Sequence, residues 1–171
     1  PPQLLVSIFG GGIIIGALLL MMPFSTTEPI RWVDALFTST SAMTVTGLAV
    51  VDTGTRFTVI GQTIIMLLIQ IGGLGIMSFA VLIFMMLGKK IGFKERMLVQ
   101  QALNQTSVGG VVLLVKRLFI FSFLIEFVAL IFLAIRWVPE FGWSKGLFFS
   151  LFHSISAFNN AGFALYSDSL I

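Results

Sequence analysis

The sequence predicts an all-α membrane protein assembled from tandem units of helix, re-entrant loop and helix. Three observations lead there. Hydrophobic residues make up 57% of the 171 residues and charged residues only 10%, against about 25% charged in a soluble domain. Charge-free runs of helical length alternate with short polar connectors. Between those runs lie two polar, glycine-containing stretches, Phe37–Thr53 and Phe152–Leu165, that resemble one another.

Leu4–Met22 carries no charge and ends at Pro23, close to the roughly 20 residues a spanning helix needs. It contains Gly10-Gly11-Gly12 and Gly12-x-x-x-Gly16. These fit either a close-packed helix contact or the ordinary glycine content of membrane helices. Pro23–Arg31 is a polar connector, with Pro29 suited to the first position of a short helix. Trp32 fits a membrane–water interface. Val33–Met43 reads as a helix of about three turns, too short to cross the bilayer.

Phe57–Leu87 is again charge-free. As one helix it would reach roughly 46 Å, more than the roughly 30 Å hydrocarbon core. It is therefore tilted, broken, or extended past the bilayer, with Gln70-Ile71-Gly72-Gly73-Leu74-Gly75 as its weak point. That cluster lacks the Lys-Ser/Thr pair of a phosphate loop, and close helix packing is its expected role.

Gly88–Arg117 holds six of the ten basic residues and a single acid, Glu95. Cytoplasmic loops carry the excess of Lys and Arg, so this segment is expected inside, with Phe93–Asn104 as a short surface helix. A nucleic-acid partner is not expected of so apolar a chain. Val111–Val138 is the next span, with Lys116 and Arg117 snorkelling at its inner end and Trp137 at its outer end. Glu126 lies about 13 Å deeper than Arg117 along a helix. A carboxylate there must be protonated, paired or facing water. It makes either an ion-pathway contact or a structural pair with a basic or amide group, the second being favoured. Pro139–Trp143 is the second outer connector. Ser144 is the expected N-cap of a helix over Lys145–Phe158, and Asn159-Asn160-Ala161-Gly162-Phe163 follows.

The two polar stretches align at a shift of 115 residues. Over Phe37–Val50 and Phe152–Leu165, six of fourteen positions are identical, including Ser39/Ser154, Ser41/Ser156, Ala42/Ala157 and Gly47/Gly162, where chance gives about one. The same shift lays Leu4–Met22 on Phe119–Trp137. The chain thus divides into a first repeat (1–87), a basic linker (88–110) and an incomplete second repeat (111–171). One pair of intervening spans brings both loops in from the same, outer face, so the repeats are parallel. The start Pro1-Pro2-Gln3, without Met or a basic n-region, reads as the interior of a longer protein.

Irregular backbone at membrane depth is tolerated only where protein buries it or water reaches it. A short helix entering from outside presents its partially negative C-terminus to the membrane interior, which favours a cation. A return segment can aim carbonyls at that cation and replace its hydration shell. Thr44, Val45, Thr46 and Gly47 form one such segment; Asn159, Asn160, Ala161 and Gly162 form the other. Gly47 and Gly162 permit backbone angles closed to other residues. The Thr44 and Thr46 hydroxyls add oxygens, and the Asn159 and Asn160 amides serve as ligands or as struts behind the filter. Neither core has a carboxylate, which suits a weakly hydrated monovalent cation better than a divalent one. There is no cysteine, His153 is the sole histidine, and no nucleophile–base pair stands out; an enzyme is not expected. His153 is expected to pack near the outer mouth.

Ser39-Thr40-Ser41-Ala42-Met43-Thr44-Val45-Thr46-Gly47-Leu48, Gln70-Ile71-Gly72-Gly73-Leu74-Gly75 and His153-Ser154-Ile155-Ser156-Ala157-Phe158-Asn159-Asn160-Ala161-Gly162-Phe163 resemble the Trk/Ktr/HKT superfamily of potassium transporters, most of all the membrane subunits of Ktr-type systems. The likeness covers essentially the whole chain. It implies four tandem repeats around one potassium pathway, each giving one filter strand with one key glycine. It implies a plasma-membrane protein that takes up K+, promoted by Na+, as a homodimer on a cytosolic ring of nucleotide-binding regulatory subunits. The expected continuation past Ile171 is a long apolar helix and two more glycine-containing pore loops, since two strands alone cannot close a four-fold filter. The alternatives are a tetrameric potassium channel, which would carry one repeat per chain, and a polytopic membrane protein without transport.

Overall fold

The computed structural model describes residues 2–88 and 108–166. Their regular elements are helices, in the order α1 (Pro2–Leu20), α2 (Trp32–Met43), α3 (Thr53–Arg56), α4 (Val59–Gly88), α5 (Val108–Phe141) and α6 (Trp143–Phe158). The expected surface helix at Phe93–Asn104 and most of the basic linker lie outside the described residues. Two stretches, Val59–Ile76 and Lys116–Phe141, are long and apolar enough to cross a membrane; the apolar part of α1, Val6–Leu20, is shorter. Helices apolar on every side have no watery face to offer. Along α5, Phe127, Phe132 and Ile135 accordingly point outward from the chain, fully apolar and exposed.

The chain forms two compact units, Pro1–Gly73 with Ile125–Ile171, and Leu74–Leu124. The second consists of helical stretches, within which the Ser122 hydroxyl donates to the Leu118 carbonyl at 2.9 Å. The first holds both short helices and both polar loops. Its core runs from Leu20, Ala42 and Met43 through Phe57, Ile65 and Ile69 to Phe152, Ala161 and Phe163.

In that unit α2 docks on α1. The Ser39 hydroxyl donates to the Ile13 carbonyl at 2.8 Å. A side chain at Gly16 would strike Ser39 and Leu68, and one at Gly12 would meet Met43, whereas Gly10 and Gly11 face open space. The Gly12-x-x-x-Gly16 pair is thus a packing contact. The connectors after α1 and before α4 pair through an antiparallel bridge between Thr26 and Phe57, and Arg56 reaches Glu28 across it. The Gln62 amide donates to the carbonyls of Thr53, Gly54 and Phe57, which pins the one-turn α3.

Of the three readings of the long apolar run, the break is not the one seen: α4 is unbroken through Gly72-Gly73, and those glycines serve the close packing expected of them, against the Met43 carbonyl and the Asn159 side chain. Three expectations are corrected. Pro29 stays in the connector, because α2 closes its first turn on Arg31, whose carbonyl accepts the N–H groups of Asp34 and Ala35. α5 continues through Pro139 to Phe141. A proline in the last turn forfeits a single bond, and the Arg136–Glu140 pair at 2.8 Å spans that turn. Ser144 is not a cap: α6 starts at Trp143 straight after Gly142, whose φ of 83° reverses the chain.

Candidate functional site

The two polar loops follow the C-termini of α2 and α6 and have the same backbone. Thr44 and Asn159 cap the helices at φ −89°, ψ 1° and φ −79°, ψ −2°. The next residues, Val45 and Asn160, have φ of 57° and 55°, and Gly47 and Gly162 have φ of 77° and 72°. The hydrogen bonds agree as well. Thr46 N–H donates to the Ser41 carbonyl at 2.9 Å, and Ala161 N–H to the Ser156 carbonyl at 2.7 Å. Val45 N–H donates to Ala42, and Asn160 N–H to Ala157. Every pair is 115 residues apart, the shift read from the sequence.

Among the described residues neither loop pairs as a β-strand, and left-handed residues recur at alternate positions of each. Asparagine tolerates such angles, glycine is indifferent to them, and a β-branched valine is strained by them. Strain of this kind persists only where the surroundings impose it.

Of the loop residues, Thr44, Thr46, Asn160 and Gly162 are exposed, Val45 and Gly47 half-buried, and Asn159 and Ala161 buried. Among the described residues, no hydrogen bond ends on the carbonyls of Thr44, Val45, Thr46 or Gly47, nor on those of Asn159, Asn160, Ala161 or Gly162. The loops meet at their glycines: a side chain on Gly47 would strike the Ala161 carbonyl and the Gly162 backbone. Beyond the glycines a cleft of about 280 Å³ opens between Ala49–Thr53 on one side and Phe163, Ala164 and Tyr166 on the other. Asp52 lines it, but its carboxylate accepts the Gly54 and Thr55 N–H groups and caps α3.

The side chains of the site point in different directions. The Thr44 hydroxyl donates to the Thr40 carbonyl at 2.8 Å, so the Thr46 hydroxyl, 2.7 Å away, donates to Thr44. Asn160 is exposed, while Asn159 is buried. Asn159 Nδ2 donates to Gln70 Oε1 and to the Ile155 carbonyl, each at 3.0 Å. Glu126 is buried too, and Gln70 Nε2 donates to its two oxygens at 2.8 and 3.1 Å. Of the two readings of Glu126, the amide pair is the one observed. Its main-chain carbonyl accepts the Ser154 hydroxyl at 2.8 Å, the counterpart of Ser39 on Ile13.

His153 sits among Trp137, Phe149, Phe152 and Tyr166. Its Nε2 lies 3.3 Å from the Leu165 N–H, so it accepts there. Nδ1 therefore carries the proton and donates to the Phe149 carbonyl at 2.8 Å. Sequence reasoning missed this brace, and it missed Gln70 as a partner. The available signal was that Gln62 and Gln70 are the two amides in an otherwise apolar run.

The chain matches the family model described as "TrkH: Cation transport protein" over residues 9–171. It is 69% identical over its whole length to the Ktr system potassium uptake protein B of Bacillus subtilis (strain 168), covering 38% of that protein. It is 45% identical to the Ktr system potassium uptake protein B of Vibrio alginolyticus, over 99% of this chain and 37% of the relative. It is 42% identical to the potassium/sodium uptake protein NtpJ of Enterococcus hirae, over 100% of this chain and 38% of the relative. The chain thus spans well under half the length of these relatives. It belongs to the TrkH family of cation transport proteins.

Proposed function

We propose that this chain is part of the membrane subunit of a potassium uptake transporter. Thr44–Gly47 and Asn159–Gly162 supply backbone carbonyls to its selectivity filter. The observation that carries the reading is the pair of loops with matching left-handed residues and carbonyls that accept no hydrogen bond from the described residues. Such carbonyls can stand in for the water shed by a cation. The C-termini of α2 and α6 add partial negative charge behind them. The names of the relatives support K+ as the ion, and one of them names sodium beside potassium; in this reading Na+ is an activator.

The wider reading follows the same line. Residues 1–87 and 111–171 are successive helix–pore loop–helix repeats, with the loop mouths outside and the basic linker 88–110 in the cytoplasm. Two further repeats complete the ring. The assembled protein is a plasma-membrane homodimer working with a cytosolic ring of nucleotide-binding subunits, without an enzymatic step. Ktr-type relatives named as parts of a system support the presence of partners.

The test is potassium uptake by the full-length protein in cells lacking their own uptake systems. Growth at low K+ should be restored, and Gly47→Ser should weaken preference for K+ over Na+ by about tenfold or more. Unchanged selectivity would remove Gly47 from the filter. Failure of the wild-type protein to restore uptake, alone and with its cytosolic partner, would remove the transporter reading.

A further inference from the structure

We propose that Gln70 and Glu126 are positioning residues that set the ion preference of the second loop, holding Asn159 as a strut behind it. The inference rests on the filter reading above. None of the three side chains faces the cleft: they are 9%, 4% and 6% exposed. They come from three elements. Gln70 lies on α4 of the first repeat, Glu126 on α5 and Asn159 at the end of α6.

The chemistry runs in one direction. Glu126 fixes the amide of Gln70 by taking both its oxygens to Nε2. That leaves Gln70 Oε1 aimed at Asn159, whose Nδ2 donates to it and to Ile155. Asn159 is thereby folded back onto the helix that it caps. Its neighbour Asn160 then enters the left-handed turn that presents the carbonyls of residues 160–162. Gly73 is part of the device, because a side chain there would strike Asn159 Oδ1. That oxygen is buried and has no partner among the described residues. Asn159 is held in place at the expense of one unpaired oxygen, which is the mark of a position fixed by its surroundings.

Among the described residues the first loop has no such strut. The position of Asn159 is taken by Thr44, which bonds only within its own turn. The residue whose carbonyl takes the equivalent serine hydroxyl on α1 is Ile13, which has no carboxylate to offer. A filter selects by the number and placement of its carbonyls, and a site is only as exact as the shell that supports it. The strut therefore makes the second loop the stiffer of the two.

The experiment measures K+ KM, Vmax and competition by Na+ for the full-length protein. Gln70→Leu and Glu126→Leu should each raise the K+ KM or weaken K+/Na+ preference by about fivefold or more, with Vmax within about twofold. The exchange of the pair, Gln70→Glu with Glu126→Gln, keeps a donor facing an acceptor and should restore both to within about twofold. Normal KM and selectivity in Gln70→Leu would overturn the proposal, as would a fall in Vmax alone, which is a merely structural loss. If the leucine variants do not reach the membrane, Asn159→Thr decides by the same two readouts. Gly162→Ser runs alongside. Altered selectivity there with none in Gln70→Leu discards the strut and leaves the filter; unaltered selectivity in Gly162→Ser discards both.

Discussion

The Nε2 atom of His153 accepts the backbone N–H of Leu165 at 3.3 Å, closing the second polar loop onto its own helix. In the first repeat the equivalent residue is Thr38. Its hydroxyl makes the same bond to the carbonyl four residues back, at 2.8 Å on Asp34, but cannot reach forward. His153→Thr should therefore keep the helix and release the loop. Leaving a buried donor unpaired costs about 1–3 kcal/mol. Thermal unfolding of the detergent-solubilised full-length protein should show that loss; an unchanged midpoint would mean that the brace is idle.

The left-handed residues make a reciprocal prediction. Val45 occupies a conformation disfavoured for a β-branched residue, and Asn160 occupies the same one in a residue that tolerates it. Val45→Asn should stabilise and Asn160→Val destabilise, the second by about 1–3 kcal/mol. Denaturant or thermal midpoints of the two single variants check the opposite signs. A shift of the same sign in both would show that side-chain packing, not backbone angle, decides at these positions.

The glycines of α1 are not equivalent. Gly16→Ala should disturb Ser39 and Leu68 and loosen the seat of α2, at a cost of about 1–3 kcal/mol. Within this chain Gly10→Ala has room, and alanine is the better helix former by about 0.5–1 kcal/mol. Limited proteolysis of membranes carrying each variant should show faster cleavage for the first and no acceleration for the second.

At the start of α2 the hydrogen bond from Arg31 holds the Asp34 carboxyl below the usual carboxylate range. A carboxyl lowered in the folded state adds stability above its unfolded pKa, and that contribution fades as pH falls through the folded value. Asp34→Asn should lower the melting temperature slightly at neutral pH, and the difference should close in acid and shrink in high salt, because the Arg31 partner is exposed. A gap that persists at pH 2 would point to a cap or packing effect instead.

The spanning helices and both short helices were legible because charge-free runs and polar breaks mark them directly. The equivalence of the loops was legible too: a shift of 115 residues found in side chains reappears in φ angles and hydrogen bonds. Helix ends were read less well. Pro139 and Ser144 suggested a break and a cap, but the Arg136–Glu140 pair and the reversal at Gly142 decide that corner. The one-turn α3 was invisible, since Thr-Gly-Thr-Arg has no helical pattern and is held by Gln62. The links between Gln70 and Asn159, and between His153 and Leu165, needed coordinates. A lone amide or imidazole announces a need for partners without naming them, and 89 residues separate the first pair.

The close approach of Gly47 to Gly162 has a consequence in time. The backbone that faces the first loop does not exist when that loop leaves the ribosome; another 115 residues must follow it out. At roughly 5–20 residues per second, that is a wait of roughly 6–23 seconds. Through this interval the first loop has its own helix bonds but not its neighbour across the glycines. The contact across the glycines is thus made in the order of synthesis, with the earlier loop waiting for the later one. A stalled or truncated chain would leave the first loop without its partner, and in the proposed membrane placement that polar loop would face lipid.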